Sequence, residues 1–329
     1  MKQTYRFILL ILCGVGIGVG VGWVWKTATL PGAQPPVTVR EVRAGGYKFI
    51  SPLLECELMG SLGGSSELRS LQNSLGTFVD EKSRQGAATQ ISIYYRDLNN
   101  GPSIGINADA DFSPASLLKV PVMMAYFKKA ETDPTLLSKK IPFTPGQVLP
   151  EDIVSQETAM VPGKSYSVEE YIERMIIYSD NQALVTLEQN IPNELIDKIT
   201  IDLGIATADA NTPEDYMSVK SYASLFRILF NASYLNKDDS ESALSILSKV
   251  TYTKGLVAGV PPYIAVAHKF GERELIGGIK QLHDCGIVYY PGHPYLLCVM
   301  TRGNDLDTLA GIIRSISQTV FAEINRQSN

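Results

Sequence analysis

Three short clusters in this chain carry side chains able to do nucleophilic chemistry together. The first is Ser116-Leu117-Leu118-Lys119, preceded by Phe112-Ser113-Pro114-Ala115 and followed by Val120-Pro121. On a helix, a three-residue offset puts a hydroxyl and an amine on one face, one turn apart. A lysine held there, partly desolvated and close to other cations, gives up its proton and activates the hydroxyl for attack. The second cluster is Ser179-Asp180-Asn181, and the third is Lys269-Phe270-Gly271. Taken singly, each has an ordinary structural explanation: a helix start beside a solvated lysine, a polar helix start, and a strand end turning on a glycine. Their order and spacing matter more than any one of them.

The elements that must position these clusters follow from periodicity. A helix is expected from Ser66 to about Arg84, with Leu68, Leu71, Leu75, Phe78 and Val79 on one stripe. Ile91–Tyr95 and Ser103–Asn107 read as strands about a turn at Asn99-Asn100-Gly101. After Pro114 a helix carries the first cluster, and the chain from about 130 to 250 is mostly helical. Strands return at Ile264–His268, Gly286–Tyr290 and Tyr295–Thr301, the last two joined by a tight loop at 291–294. An amphipathic helix from Asp305 to about Arg326 closes the chain, with Leu309, Ile312, Ile313, Ile316 and Val320 at steps of three and four. Strands from both ends of the chain thus enclose a helical block.

Composition narrows the partners. The 329 residues are 45% hydrophobic and carry a formal charge of -5. Without a basic excess there is nothing to neutralise a phosphate backbone, so no nucleic-acid partner is expected. Phe7 to Trp25 is a run of 19 residues without a charge, about the length needed to cross a bilayer. No small-x-small cleavage site follows it, so residues 1–26 read as an uncleaved single-pass anchor rather than a signal peptide. Lys2 and Arg6 precede the run and only Lys26 directly follows, which places Met1 in the cytoplasm and the body outside. The alternating glycines Gly14 to Gly22 lie inside this run, where a dinucleotide motif has neither its strand nor its helix. Residues 27–65 read as a linker, its first part rich in Pro and Gly, and 66–329 as the exported domain, a monomer.

His283, Cys285, His293 and Cys298 do not have the spacing of a standard zinc site, and neither metal nor cofactor is expected. Outside the anchor Cys56, Cys285 and Cys298 are odd in number, and a tight loop at 291–294 sets Cys285 nearer Met300 than Cys298.

In order and spacing the three clusters resemble those of the class A β-lactamase catalytic domain, within the wider penicillin-recognising serine hydrolase superfamily. The flanks Tyr178-Ser179-Asp180-Asn181-Gln182-Ala183 and Val266-Ala267-His268-Lys269 are similar too, and the resemblance spans about residues 66–329. It implies an α+β fold: a five-stranded antiparallel sheet flanked by helices, beside an all-helical subdomain. It also implies roles. Ser116 is the acylated nucleophile, Lys119 its base or relay, and Ser179 the shuttle to the leaving nitrogen. Asn181 holds Lys119 and the substrate amide, and Lys269 supplies positive charge near the substrate carboxylate. Gly271 lets the strand edge approach the substrate, and the N–H groups of Ser116 and Glu272 form the oxyanion hole. Asp180 is structural.

Two features depart from the family pattern. Phe270 stands where Thr or Ser is usual, so either a hydroxyl for the substrate carboxylate is lost or the ring simply packs. No Glu-x-x-Leu-Asn string follows Asn181, and the loop after Leu203-Gly204 is short. Asp209, Asn211, Glu214 and Asp215 are its polar residues, more readily read as solvated loop positions than as a deacylation base. Acylation is therefore better supported than fast deacylation. The leading expectation is a membrane-anchored serine hydrolase opening β-lactam amides. The alternatives are a D-alanyl-D-alanine peptidase or transpeptidase acting on cell-wall peptides, or a penicillin-binding domain without turnover.

Overall fold

The computed structural model describes residues 37–43, 45–60, 65–99, 103–146, 159–205 and 211–328. The apolar run at 7–25, Asn100-Gly101 of the expected turn, and Asp209 lie outside them. No helix among the described residues is long and apolar enough to cross a membrane. The chain divides into two units, Met1–Val39 with Leu58–Gly63, and Arg40–Glu57 with Gly64–Asn329. Two strands, β1 (Val37–Arg43) and β2 (Leu53–Gly60), run within the stretch read as a linker. In the second unit Phe49 and Ile50 are buried, and the Glu241 carboxylate accepts from the N–H groups of Lys48, Phe49 and Ile50. Ordered packing therefore begins ahead of Ser66.

The second unit is built on one antiparallel sheet. Its strands are β3 (Gln90–Asp97), β4 (Ser103–Ile106), β9 (Val266–Glu274), β10 (Lys280–Val288) and β11 (Tyr295–Gly303), in the order β4-β3-β11-β10-β9. The short β5 (Asp111–Phe112), β6 (Lys140–Pro142), β7 (Ser165–Ser167) and β8 (Met217–Ser218) form two small ladders outside it. On one face pack α1 (Ser65–Arg84) and α8 (Leu306–Ser328), whose Leu71, Leu75, Ile312, Ile313 and Ile316 meet Ile91, Ile93, Leu297 and Val299 of the sheet. The opposite face meets the helical block: α2 (Lys119–Ala130), α3 (Val168–Ile177), α4 (Asn181–Glu188), α5 (Asn193–Asp202), α6 (Val219–Phe230) and α7 (Lys237–Leu247). The α+β architecture is the one the motif order implied.

Strand boundaries differ from the periodicity. β9 runs on to Glu274, and β10 begins at Lys280 rather than Gly286. The overlooked parts are polar: Gln281, His283 and Asp284 are all buried on β10. The register also corrects the cysteine geometry. Val288 pairs with Tyr295, so the connecting loop spans 289–294, and Cys285 stands directly opposite Cys298. Their Cα atoms lie 4.0 Å apart and the two are disulfide-bonded. A loop two residues longer than the tight turn expected accounts for the whole difference, because in an antiparallel pair each residue of slip moves every partner.

Candidate active site

The turn that carries Ser116 is tighter than an α-helix. Ala115–Leu118 form a 3₁₀ turn, and α2 starts only at Lys119. With about three residues per turn, Lys119 stands over Ser116. Ala115 has φ 46°, a left-handed conformation uncommon for a residue with a Cβ. The segment is held from several sides. The Ser113 N–H donates to Gln281 Oε1 (3.0 Å), and His283 Nε2 donates to the Ser113 carbonyl (3.0 Å). Burial lowers the His283 pKa to about 4, so the ring is neutral and its Nε2 proton is committed to Ser113. The Tyr222 hydroxyl donates to the Leu117 carbonyl (3.0 Å). Gly271 completes the seat: a Cβ there would meet the Pro114 carbonyl at 3.1 Å and Leu117 at 3.2 Å. Its missing side chain thus serves the fit of β9 against the Ser116 turn.

The second cluster turns on Ser179, which has φ 57°. Asp180 then caps α4, accepting from the N–H groups of Gln182 (2.9 Å) and Ala183 (3.1 Å), and pairs with Arg174 (3.3 Å). This structural role fits the expectation for Asp180. It fixes Asn181 as the first residue of α4, aimed at Lys119. Lys119 Nζ donates to Asn181 Oδ1 (2.5 Å), the Ser179 carbonyl (2.5 Å) and Ser179 Oγ (3.1 Å).

Lys269 is fully buried on edge strand β9. Its Nζ donates to the same Ser179 Oγ (3.0 Å) and to the Phe270 carbonyl (2.8 Å). Burial, and then the neighbouring Lys119 charge, hold its pKa well below that of a free lysine. With both lysines donating to Ser179 Oγ, the hydroxyl keeps its own proton for a group in the cleft. The arrangement can therefore relay protons between Lys119 and Ser179.

A cleft of about 430 Å³ gathers Ser116, Lys119, Ser179, Asn181, Phe270 and Glu272 on its walls. Lys269 and Gly271 are not on those walls: one lies behind Ser179, the other against the Ser116 turn. Phe270 is 5% exposed, its ring stacked on Tyr252 (centroids 4.3 Å, 19°) and beneath Lys269 Nζ (4.2 Å). Its ring is thus engaged in packing even where the residue borders the cleft.

The two described loop acids form ion pairs while keeping solvent contact, Glu214 being exposed and Asp215 half-buried. Glu214, on the cleft wall, pairs with Arg273 (2.9 Å). Asp215 accepts from Arg302 (2.6 Å) and from Gln281 Nε2 (2.8 Å). β5 and β8 pair next to it, tying the loop to the segment before Ser116. Gln281, His283 and Arg302 are site-supporting residues that the sequence reading missed. They sit on strands, and a strand's polar residues announce no role until their partners are known.

The geometry agrees with what comparison finds. A model of the β-lactamase enzyme family matches residues 71–324. Among solved structures the fold is similar to that of PBP-A (24% identity, TM-score 0.67, 79% of this chain and 97% of that one). A mutant PBP-A described as an acyl-enzyme complex with penicillin G aligns equally well (24%, 0.67, 80% and 100%). A β-lactamase from Chitinophaga pinensis is similar at 20% identity and TM-score 0.68, over 77% of this chain and all of that one. No curated protein matches the chain in sequence. With the family model spanning the sheet, the helical block and all three clusters, the chain belongs to the β-lactamase enzyme family.

Proposed function

We propose that this chain is a serine hydrolase acting through an acyl-Ser116 intermediate on β-lactam amides. The observation that carries the reading is the convergence of Lys119 and Lys269 on one Ser179 hydroxyl beside Ser116. In its neutral form, with one of its three donor contacts released, Lys119 takes the Ser116 proton as Oγ attacks the lactam carbonyl; as the C–N bond breaks, Ser179 gives its hydroxyl proton to the leaving nitrogen and recovers one from Lys119. The N–H groups of Ser116 and Glu272 receive the developing oxyanion, Glu272 lying on the edge strand β9 and on the cleft wall with Ser116. Asn181 orients the substrate amide.

A second reading has its own observation. The two described acids of the short loop are committed to Arg273 and Arg302. This favours slow deacylation, as in a D-alanyl peptidase or a penicillin-binding domain. Anchoring by residues 7–25, with the body outside the cell membrane, belongs to the same proposal. The Cys285–Cys298 bridge supports it, since disulfides persist in oxidising compartments.

Stopped-flow measurement with nitrocefin separates these. Sustained turnover after the burst supports the β-lactamase. A burst of one equivalent followed by slow release supports the peptidase or binding domain. No burst contradicts both.

A further inference from the structure

A glutamine buried in the middle of a sheet needs a reason, because an amide taken out of water without partners is destabilising. Gln281 lies on β10, between β9 and β11, and is fully buried. Its side chain reaches two segments far away in sequence. Oε1 accepts from the Ser113 N–H (3.0 Å), and Nε2 donates to Asp215 Oδ1 (2.8 Å). Only one orientation of the amide satisfies both. The flipped group would set its NH₂ against the Ser113 N–H and its oxygen against a carboxylate.

Each end of this bridge is anchored. His283, two residues along β10 and so on the same face, donates from Nε2 to the Ser113 carbonyl (3.0 Å). Both backbone polar groups of Ser113 are thereby fixed to one strand. Two residues later Ala115 takes φ 46°, and Ser116 follows. A left-handed residue with a Cβ persists only where its surroundings over-determine it, and the grip on Ser113 does part of that. At the other end Arg302 holds Asp215 Oδ2 (2.6 Å), and it donates as well to the Asp111 carbonyl (3.2 Å) and to Gln90 (2.9 Å). Asp215 directly follows Thr212, Pro213 and Glu214, which line the cleft together with Ser116.

We propose that Gln281 is a positioning residue that couples the cleft-lining loop to the turn carrying Ser116, with Asp215 and Ser113 as its two contacts. The inference rests on the acyl-Ser116 reading. Contacts that a substrate makes with residues 212–214 settle Asp215, and through one amide they settle Ser113 and the entry to the Ser116 turn. Asp215 thus acts on acylation by placement and not by proton transfer.

Coupling of this kind is read from an exchange of partners rather than from a deletion. The test is stopped-flow acylation by a fluorescent penicillin up to saturation, which separates the affinity of the first complex from the limiting rate of acylation. It compares wild type, Gln281→Glu, Asp215→Asn and the double variant. Gln281→Glu keeps an acceptor for the Ser113 N–H but sets a second carboxylate against Asp215, so it severs the loop side alone. In the double variant the donor lies on the loop and the carboxylate on the strand, which restores both the bridge and the net charge. Gln281→Glu should lower the limiting rate about tenfold and change the affinity less than twofold, because a misplaced nucleophile slows the chemical step without weakening binding. The double variant should return to within about threefold of wild type. An unchanged limiting rate in Gln281→Glu, a loss of affinity alone, or a double variant as slow as the product of the two single losses overturns the proposal. If Gln281→Glu does not fold, the double variant decides: it should fold and acylate within about threefold of wild type, and one that is slower or unfolded makes Gln281 a structural residue only. Absence of any adduct in wild type would instead overturn the acyl-serine reading itself.

Discussion

At the residue scale, Phe270 shows how one side chain bears on both packing and substrate choice. Its ring stacks on Tyr252 and lies under the Lys269 ammonium, at the position where a hydroxyl would meet a carboxylate. Phe270→Thr removes that stack, and the cavity left costs about 3 kcal/mol, read as a lower midpoint in thermal unfolding. The restored hydroxyl offers a hydrogen bond to a charged group, worth roughly 1.5–3 kcal/mol. Acylation by a free-acid penicillin should therefore rise about tenfold relative to its methyl ester. Equal changes for acid and ester would mean that the ring acts through packing alone. The types and spacing of Ser116, Lys119, Ser179 and Asn181 singled out residues that share the walls of one cleft, with Lys269 behind Ser179. Gln281, His283, Asp284 and Arg302 were not legible, because each earns its place through a partner far away in sequence.

At the element scale, β9 and the nucleophile turn fit together through the absence of a side chain at Gly271. Gly271→Ala pushes a methyl group toward the Pro114 carbonyl and Leu117, and the turn has to give by a few tenths of an ångström. The expected outcome is a roughly tenfold slower acylation with at most about 1 kcal/mol of lost stability. Stopped-flow acylation alongside denaturant unfolding checks both. The disulfide is the second device of this scale. It closes a span of 13 residues between neighbouring strands. Its loss in Cys285→Ser with Cys298→Ser should cost about 2–3 kcal/mol of unfolding free energy in urea titration. An unchanged midpoint would mean that the strand pair alone fixes the register. Hydropathy had found nearly all of β11 and the apolar end of β10, and missed the polar start of β10. Buried Gln281, His283 and Asp284 look like loop residues until the groups that satisfy them are seen. The same omission hid the six-residue loop, and with it the pairing of Cys285 with Cys298.

For the whole molecule, the α+β architecture was legible because strong signals frame it: the α1 and α8 stripes, the strand runs of β3 and β11, and three ordered clusters. The proposed export of the body has a direct check. Protease added to intact spheroplasts should digest residues 66–329, and their protection would contradict the topology. The central claim, however, is that this assembly acylates a single serine. Intact-mass analysis after incubation with a fluorescent penicillin measures that most directly. The account predicts one adduct per chain in wild type and none in Ser116→Ala, with Lys119 and Ser179 unmodified in both. An adduct that persists in Ser116→Ala would contradict it.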